Sequence, residues 1–230
     1  MIARWRYEEE DSYMSPDSLT RRTFLAGTTL VGLTAATVRG ALVTSAWAAA
    51  VAKVGEAAPA FTIAATTGKD VSLAEQRGKI VVLEWTNHDC PYVRKHYESG
   101  NMQSLQKEIT AQGVTWLTII SSSPGTQGYV TPKQADELTV TRKASPTAVL
   151  LDPTGVVGRA YGATNTPHMY VIDKVGHLMY AGAIDDRPTT RRSDVPGAHN
   201  YVRAALDDMA AGRPVQTPVT RAYGCTVKSA

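Results

Sequence analysis

The stretch of sequence that decides the fold is IVVLEWTNHDCP, residues 80–91. Its first six residues are nearly all apolar, and three of the first four are β-branched, a pattern typical of a central parallel strand covered on both faces. The strand leads directly to Cys90, and Pro91 suits the first turn of a helix because its missing N–H has no partner there. The sequence therefore predicts a buried strand followed by a helix that begins at a cysteine.

Strand and helix patterns alternate on both sides of this stretch. Two capping-box patterns, Ser72 to Glu75 and Thr131 to Gln134, indicate helix starts. We expect a hairpin that turns at Thr67-Gly68, further strands over 114–121, 148–151, 168–172 and 178–183, and further helices over 101–112, 131–143 and 199–211. These elements predict an α/β domain with a mixed central sheet and helices on both faces, over residues 54–212.

The last residues differ in character from the domain. Pro214 and Pro218 exclude a regular helix, so residues 213–230 are predicted to be an extended tail laid over the domain. This tail carries Cys225.

The N-terminus has the pattern of an export signal. Arg21-Arg22-Thr23-Phe24-Leu25 is followed by a mildly apolar stretch and then by Ala46-Trp47-Ala48, which resembles a twin-arginine signal with its cleavage site. The alternative is a membrane anchor, but the apolar stretch is short and is broken by Arg39, whereas a spanning helix needs about 20 apolar residues. We expect residues 1–48 to be removed, leaving a folded periplasmic protein with no membrane association.

Charge and cysteine content narrow the function further. The net charge of +3 is small for 230 residues and is not concentrated in one segment, so nothing indicates nucleic-acid binding. The two cysteines, Cys90 and Cys225, would both reach an oxidising compartment, where an even pair suggests a disulfide.

Cys90 is the candidate reactive residue. Unpaired N–H groups and the dipole at a helix N-terminus stabilise a thiolate, which is the nucleophilic form of cysteine. The alternative is a small buried apolar residue with no chemistry. The strand-Cys-Pro-helix context favours the reactive thiol.

Two motifs, CPYV at 90–93 and TPHMYVID at 166–173, resemble the thioredoxin-like redoxin superfamily. Within it the chain is most similar to the branch of alkyl hydroperoxide reductase and thiol-specific antioxidant proteins, over residues 54–211. The resemblance implies a thioredoxin fold, with a cis Thr166-Pro167 bond packed against the redox cysteine. It also implies that Glu84, in the strand before Cys90, is a buried acid that accepts and returns protons, the alternative being a salt-bridged structural residue.

The chain departs from the superfamily at several positions. Val93 stands where thioredoxins carry their second cysteine. Leu83, Asn87 and Pro167 stand where peroxiredoxins carry the Pro, Thr and Arg of their peroxide pocket. These departures do not distinguish a disulfide substrate from a peroxide substrate. Because the second cysteine of thioredoxins is absent, Cys225 is the candidate resolving cysteine.

The resulting interpretation is a periplasmic thiol oxidoreductase with catalytic residues Cys90, Cys225, Glu84 and Pro167. We expect a disulfide or peroxide substrate, a periplasmic thiol reductant as partner, and no cofactor. Two alternatives remain open. One is a binding module in which a Cys90–Cys225 disulfide is only structural and stabilises the fold by about 5 kcal/mol because it closes a long loop. The other is a copper or zinc protein that uses His88, Cys90 and His96.

Overall fold

The structure, a computed structural model, describes residues 51–229, so the predicted signal at 1–48 lies outside the described residues. Within residues 51–229 the strands are β1 Thr62–Ala64, β2 Asp70–Ser72, β3 Val81–Trp85, β4 Thr115–Ile120, β5 Ala148–Leu151, β6 Asn165–Thr166, β7 His168–Ile172, β8 Leu178–Gly182 and β9 Cys225–Thr226. The helices are α1 Pro91–Glu98, α2 Asn101–Ala111, α3 Pro132–Thr141, α4 Val156–Tyr161 and α5 Tyr201–Ala210, with single 3₁₀ turns at Ala74–Gln76 and Arg192–Asp194.

A five-stranded mixed sheet forms the centre, in the order β5-β4-β3-β7-β8. β3 runs parallel to β4 and antiparallel to β7, which confirms the predicted mixed sheet. All five residues of β3 are buried, as expected for a strand covered on both faces. Alternation along β3 sends Leu83 and Trp85 to one face and Val82 and Glu84 to the other.

Two apolar cores cover the two faces of the sheet. On one face Leu83 and Trp85 pack with residues from the N-terminal hairpin and from α4. On the other face Val82 packs with Cys90 and with residues of α1, α2 and α5. The strand before the cysteine is therefore fixed from both sides, and this rigidity extends to the start of α1. The predicted thioredoxin fold, with its N-terminal hairpin of β1 and β2, is confirmed.

Local signals predicted some helix starts and not others. At α3 the capping box is present: Thr131 Oγ1 accepts from the Gln134 N–H at 3.3 Å, and Gln134 Oε1 accepts from the Thr131 N–H at 2.8 Å. The capping box expected at Ser72 is wrong, because Ser72 pairs with Thr62 in the hairpin and only a 3₁₀ turn follows.

Helix α4 was not predicted from the sequence. It begins after Gly155, whose φ of 69° lies in the left-handed region that favours glycine. The buried Asp152 carboxylate accepts hydrogen bonds from the Gly158 N–H at 2.9 Å and from Ser121 Oγ at 2.6 Å. These contacts hold the first turn of a helix that is too short to show an apolar period.

The tail lies along the domain, as predicted. The Thr220 N–H donates to the Ala181 carbonyl at 3.1 Å, so this part of the tail follows the edge strand β8. Further along, β9 pairs antiparallel with β6. No helix in residues 51–229 combines the length and apolar character needed to cross a membrane.

Candidate active site

Cys90 stands at the junction between β3 and α1. It is the N-cap of α1 with extended backbone angles, and Pro91 occupies the first turn, as the sequence predicted. Asn87 stabilises the turn between β3 and Cys90, since its Oδ1 accepts from the Asp89 N–H at 2.9 Å. The Cys90 side chain has 0% exposure, so the thiol is enclosed when the tail is in place.

Two backbone groups contact the Cys90 sulfur. The thiol donates to the Thr166 carbonyl at 3.2 Å, and the Cys225 N–H donates to Sγ at 3.4 Å. Thr166-Pro167 is a cis bond, as the resemblance implied, and Pro167 directly follows the contacting carbonyl. Within residues 51–229 no basic side chain hydrogen-bonds to this sulfur.

Cys225 lies beside Cys90 because the tail forms a strand there. In the β6–β9 pair Cys225 is directly opposite Thr166, the residue whose carbonyl contacts Cys90. Both thiols are free. Burial, followed by the neighbouring Cys90, raises the pKa of the Cys225 thiol well above its usual range. Cys225 is therefore a protonated thiol at neutral pH, which makes it a poor first nucleophile.

Glu84 is a buried carboxylate with four side-chain donors. Oε1 accepts from the Tyr97 hydroxyl at 2.8 Å. Oε2 accepts from Trp116 Nε1 at 2.9 Å, and from Gln106 Nε2 and Thr118 Oγ1 at 3.1 Å each. Burial raises the pKa of Glu84, and the four hydrogen bonds offset part of that rise. None of these donors is a cation, so the alternative of a salt-bridged Glu84 is wrong, and its hydrogen bonds do not reach Cys90.

A buried polar cluster lies behind the tail, formed by Lys95, His96, Asp185 and Tyr223. Lys95 Nζ is 3.1 Å from Asp185 Oδ2 and donates to the Arg187 carbonyl at 2.6 Å. The Tyr223 hydroxyl donates to Asp185 Oδ1 and lies 3.3 Å from His96 Nε2. Lys95 and Asp185 are only 1% and 3% exposed.

Sequence reasoning missed this cluster. A lysine in an amphipathic helix is usually exposed, and no local signal pairs it with an aspartate 90 positions away.

Comparison with known proteins agrees with this geometry. Residues 54–181 match the AhpC/TSA family. The chain belongs to the AhpC/TSA family. Membership of this family makes it a thiol oxidoreductase or peroxidase-like enzyme, and Cys90 is the cysteine at the position where the resemblance expects the redox thiol.

Solved structures support the fold of this AhpC/TSA protein. An uncharacterised conserved protein from Geobacillus kaustophilus is 25% identical, with a TM-score of 0.67, over 76% of this chain and 92% of that one. A hypothetical protein from Sinorhizobium meliloti 1021 is 23% identical, with a TM-score of 0.68, over 79% of this chain and 97% of that one. No curated protein shows a significant match to the sequence.

The three residues of this AhpC/TSA protein that stand at the peroxide-pocket positions of peroxiredoxins make structural contacts instead. Leu83 is in the core on the opposite face of the sheet from Cys90. Asn87 Nδ2 donates to the Gln127 carbonyl at 3.3 Å, so its side chain braces a loop. Pro167 forms the cis bond described above.

The metal-site alternative receives no support in the described part of the chain. Among residues 51–229 no three or more His, Cys, Asp or Glu side chains are grouped to hold a metal ion. His88 lies 3.3 Å from Asp89, and His96 contacts Asn101 and Tyr223. His88, Cys90 and His96 are therefore not brought together as ligands.

Proposed function

We propose that this protein is an exported thiol–disulfide oxidoreductase in which Cys90 is the nucleophile and Cys225 the resolving cysteine. The observation that carries the proposal is the β6–β9 pair, because it sets Cys225 opposite Thr166 with its N–H 3.4 Å from Cys90 Sγ. A second free thiol beside a helix-capping cysteine is the arrangement that a two-step exchange needs.

The exchange has two balanced steps. The Cys90 thiolate attacks one sulfur of a substrate disulfide, so that a Cys90–substrate bond forms and the other substrate sulfur leaves as a thiolate. The Cys225 thiol then loses its proton and attacks Cys90 Sγ, which releases the second substrate thiolate. The two substrate thiolates take up the protons that Cys90 and Cys225 have lost, so the products are two substrate thiols and a Cys90–Cys225 disulfide. An external thiol reductant of the same compartment returns this disulfide to the dithiol and is itself oxidised to a disulfide.

The surroundings of Cys90 favour a disulfide over a peroxide. Peroxide reduction requires polar groups at the sulfur that bind and polarise the peroxide, whereas the contacts of Sγ are the backbone groups of Thr166 and Cys225. The edge of β6 beside Cys90 pairs with β9, a strand that carries a cysteine. A substrate peptide that carries a disulfide would pair with this edge in the same way. Glu84 and Pro167 complete the proposed site, Glu84 as a proton acceptor and Pro167 as the residue that packs against Cys90.

The proposed location rests on the N-terminal sequence. Arg21-Arg22 and Ala46-Trp47-Ala48 support export of the folded domain through the twin-arginine route and cleavage after residue 48. An oxidising compartment outside the cytoplasm gives a dithiol enzyme a supply of disulfide substrates.

A redox titration in glutathione buffers, with mass spectrometry of the trapped thiols, tests the proposal. We expect a Cys90–Cys225 bond with a potential well above about −300 mV, the range of structural disulfides. Cys90→Ser should lose all reactivity, whereas Cys225→Ser should perform one stoichiometric turnover and retain a mixed disulfide on Cys90.

Two outcomes would contradict the proposal. A potential below about −300 mV, with equal loss of thermal stability in both variants, would indicate a structural disulfide instead. Turnover of hydrogen peroxide but of no disulfide, with sulfinic acid on Cys90 in Cys225→Ser, would identify a thiol peroxidase.

A further inference from the structure

The cluster of Lys95, His96, Asp185 and Tyr223 lies outside the two-cysteine site but is joined to it through the tail. Tyr223 is two residues before Cys225. Its ring lies 5.8 Å from the Tyr92 ring, and the Lys95 ammonium is 5.6 Å from its centre. Tyr223 is therefore the side chain by which the tail enters the domain next to Cys90.

The donors and acceptors around Tyr223 form a continuous chain. Asn101 Nδ2 lies 2.9 Å from His96 Nδ1, and because an amide nitrogen can only donate, Nδ1 accepts. The proton of the neutral imidazole is then on Nε2, which donates to the Tyr223 oxygen at 3.3 Å. The Tyr223 hydroxyl in turn donates to Asp185, so each polar atom of the chain has a partner.

Near Cys90 the tail is also held by the side chains of Asn165 and Thr166, which donate to the Gly224 and Cys225 carbonyls at 3.0 and 3.4 Å, and further along the Ser123 N–H donates to the Lys228 carbonyl at 3.0 Å. The β6–β9 pair comprises two residues on each strand, and a two-residue ladder is weak by itself. Its close approach depends on Gly224, where φ is 126° and a Cβ atom would lie 1.9 Å from the Thr166 carbonyl oxygen. The Tyr223 hydroxyl adds a buried anchor to these contacts at the residue before Gly224.

We propose that Tyr223 is a positioning residue that latches the tail: its hydroxyl, bound by His96 and Asp185, holds Cys225 against Cys90 and keeps Cys90 closed to large partners. The proposal rests on the proposed function for its purpose, since a resolving cysteine must stay near the nucleophile between turnovers. It implies that a protein disulfide reaches Cys90 only when Tyr223 leaves the cluster and the tail lifts from β6.

Removal of the hydroxyl has a defined consequence. In Tyr223→Phe the ring stays apolar and of nearly equal size, but His96 Nε2 loses its buried acceptor, whereas Asp185 Oδ1 keeps the Arg187 N–H at 3.0 Å. An unsatisfied buried group shifts an equilibrium by about 10- to 100-fold, here toward the lifted tail. The fold of the domain should survive because the Tyr223 ring, which packs against the core on the Cys90 face of the sheet, is kept in this variant.

The test is the rate at which a bulky maleimide alkylates Cys90 in the full-length protein. Cys225→Ser is the background, so that Cys90 is the single thiol. Adding Tyr223→Phe should raise the rate about 10- to 100-fold, and Gly224→Ala should also raise it because its Cβ would collide with Thr166. Tyr129→Phe, at a tyrosine that is 38% exposed, is the matched control and should leave the rate unchanged.

Three results would overturn the latch: equal rates with and without Tyr223→Phe, a rise for Gly224→Ala alone, or a rise no larger than the fall in global stability measured in urea. These outcomes are separate from the failure of the proposed function. If the disulfide proves structural, the maleimide rates still report whether Tyr223 holds the tail.

Discussion

Glu84 offers a prediction in which stability and proton transfer can be separated. Glu84→Ala removes the acceptor of four buried donors, from Tyr97, Gln106, Trp116 and Thr118. At about 1 kcal/mol or more for each unsatisfied donor, the loss is about 4 kcal/mol before the cavity is counted. Domains of this size are stable by about 5–15 kcal/mol, so the variant should lose a large part of its stability, and at the lower end of this range it should be barely folded.

Glu84→Gln is the informative variant because it keeps the shape and one acceptor oxygen. If that oxygen occupies the place of Oε2, three of the four hydrogen bonds remain and the loss is about 1 kcal/mol. Burial raises the pKa of Glu84 above its unfolded value, so the stability of the neutral form is present at low pH and is lost as pH rises through the folded pKa. Glutamine does not titrate and has no such loss. The gap in free energy of unfolding between wild type and Glu84→Gln should therefore shrink from pH 4 to pH 8.

Urea unfolding followed by circular dichroism at several pH values measures this gap. A gap that is constant or that widens with pH would refute the argument, because it would mean that the carboxylate is stabilised by its four donors. The pH profile of redox turnover tests the second role. An altered profile in Glu84→Gln supports a proton acceptor for Cys90, whereas loss of stability alone would leave Glu84 a structural residue.

Three further predictions concern other parts of the chain. Burial lowers the pKa of His96 to about 4, so the free energy of unfolding should fall by up to about 1.4 kcal/mol per pH unit as pH falls from about 6.5 to about 4, and His96→Gln should flatten this slope in acid unfolding. Asp152→Ala should lower the free energy of unfolding by about 2–4 kcal/mol because it removes the hydrogen bonds to Ser121 and to the start of α4. Asp152→Asn should lower it by less, and equal losses in the two variants would contradict this role. Replacement of Arg21 and Arg22 by lysine should leave the precursor in the cytoplasm, and a mature form outside it on cell fractionation would refute the targeting prediction.

Local physical rules explain the parts of the fold that were predicted. A short apolar β-branched run is typical of a strand covered on both faces, and β3 is buried throughout. Thr131 and Gln134 cap α3 through atoms within three residues of each other. The same rule failed at Ser72 because pairing with Thr62, across the hairpin, took that residue into a strand.

What the sequence by itself determined is therefore the order of the main strands and helices except α4, the placement of Cys90 at a helix start, and the presence of an extended tail, since each depends on residues near in the chain. Only the tertiary structure decided that Cys225 pairs opposite Thr166, 135 positions after Cys90. The same holds for the burial of Lys95 with Asp185 and for the place of Tyr223 between Asp185 and His96. A polar side chain is buried only where distant segments supply its partner, and that partner is set by how the sheet and the tail pack together.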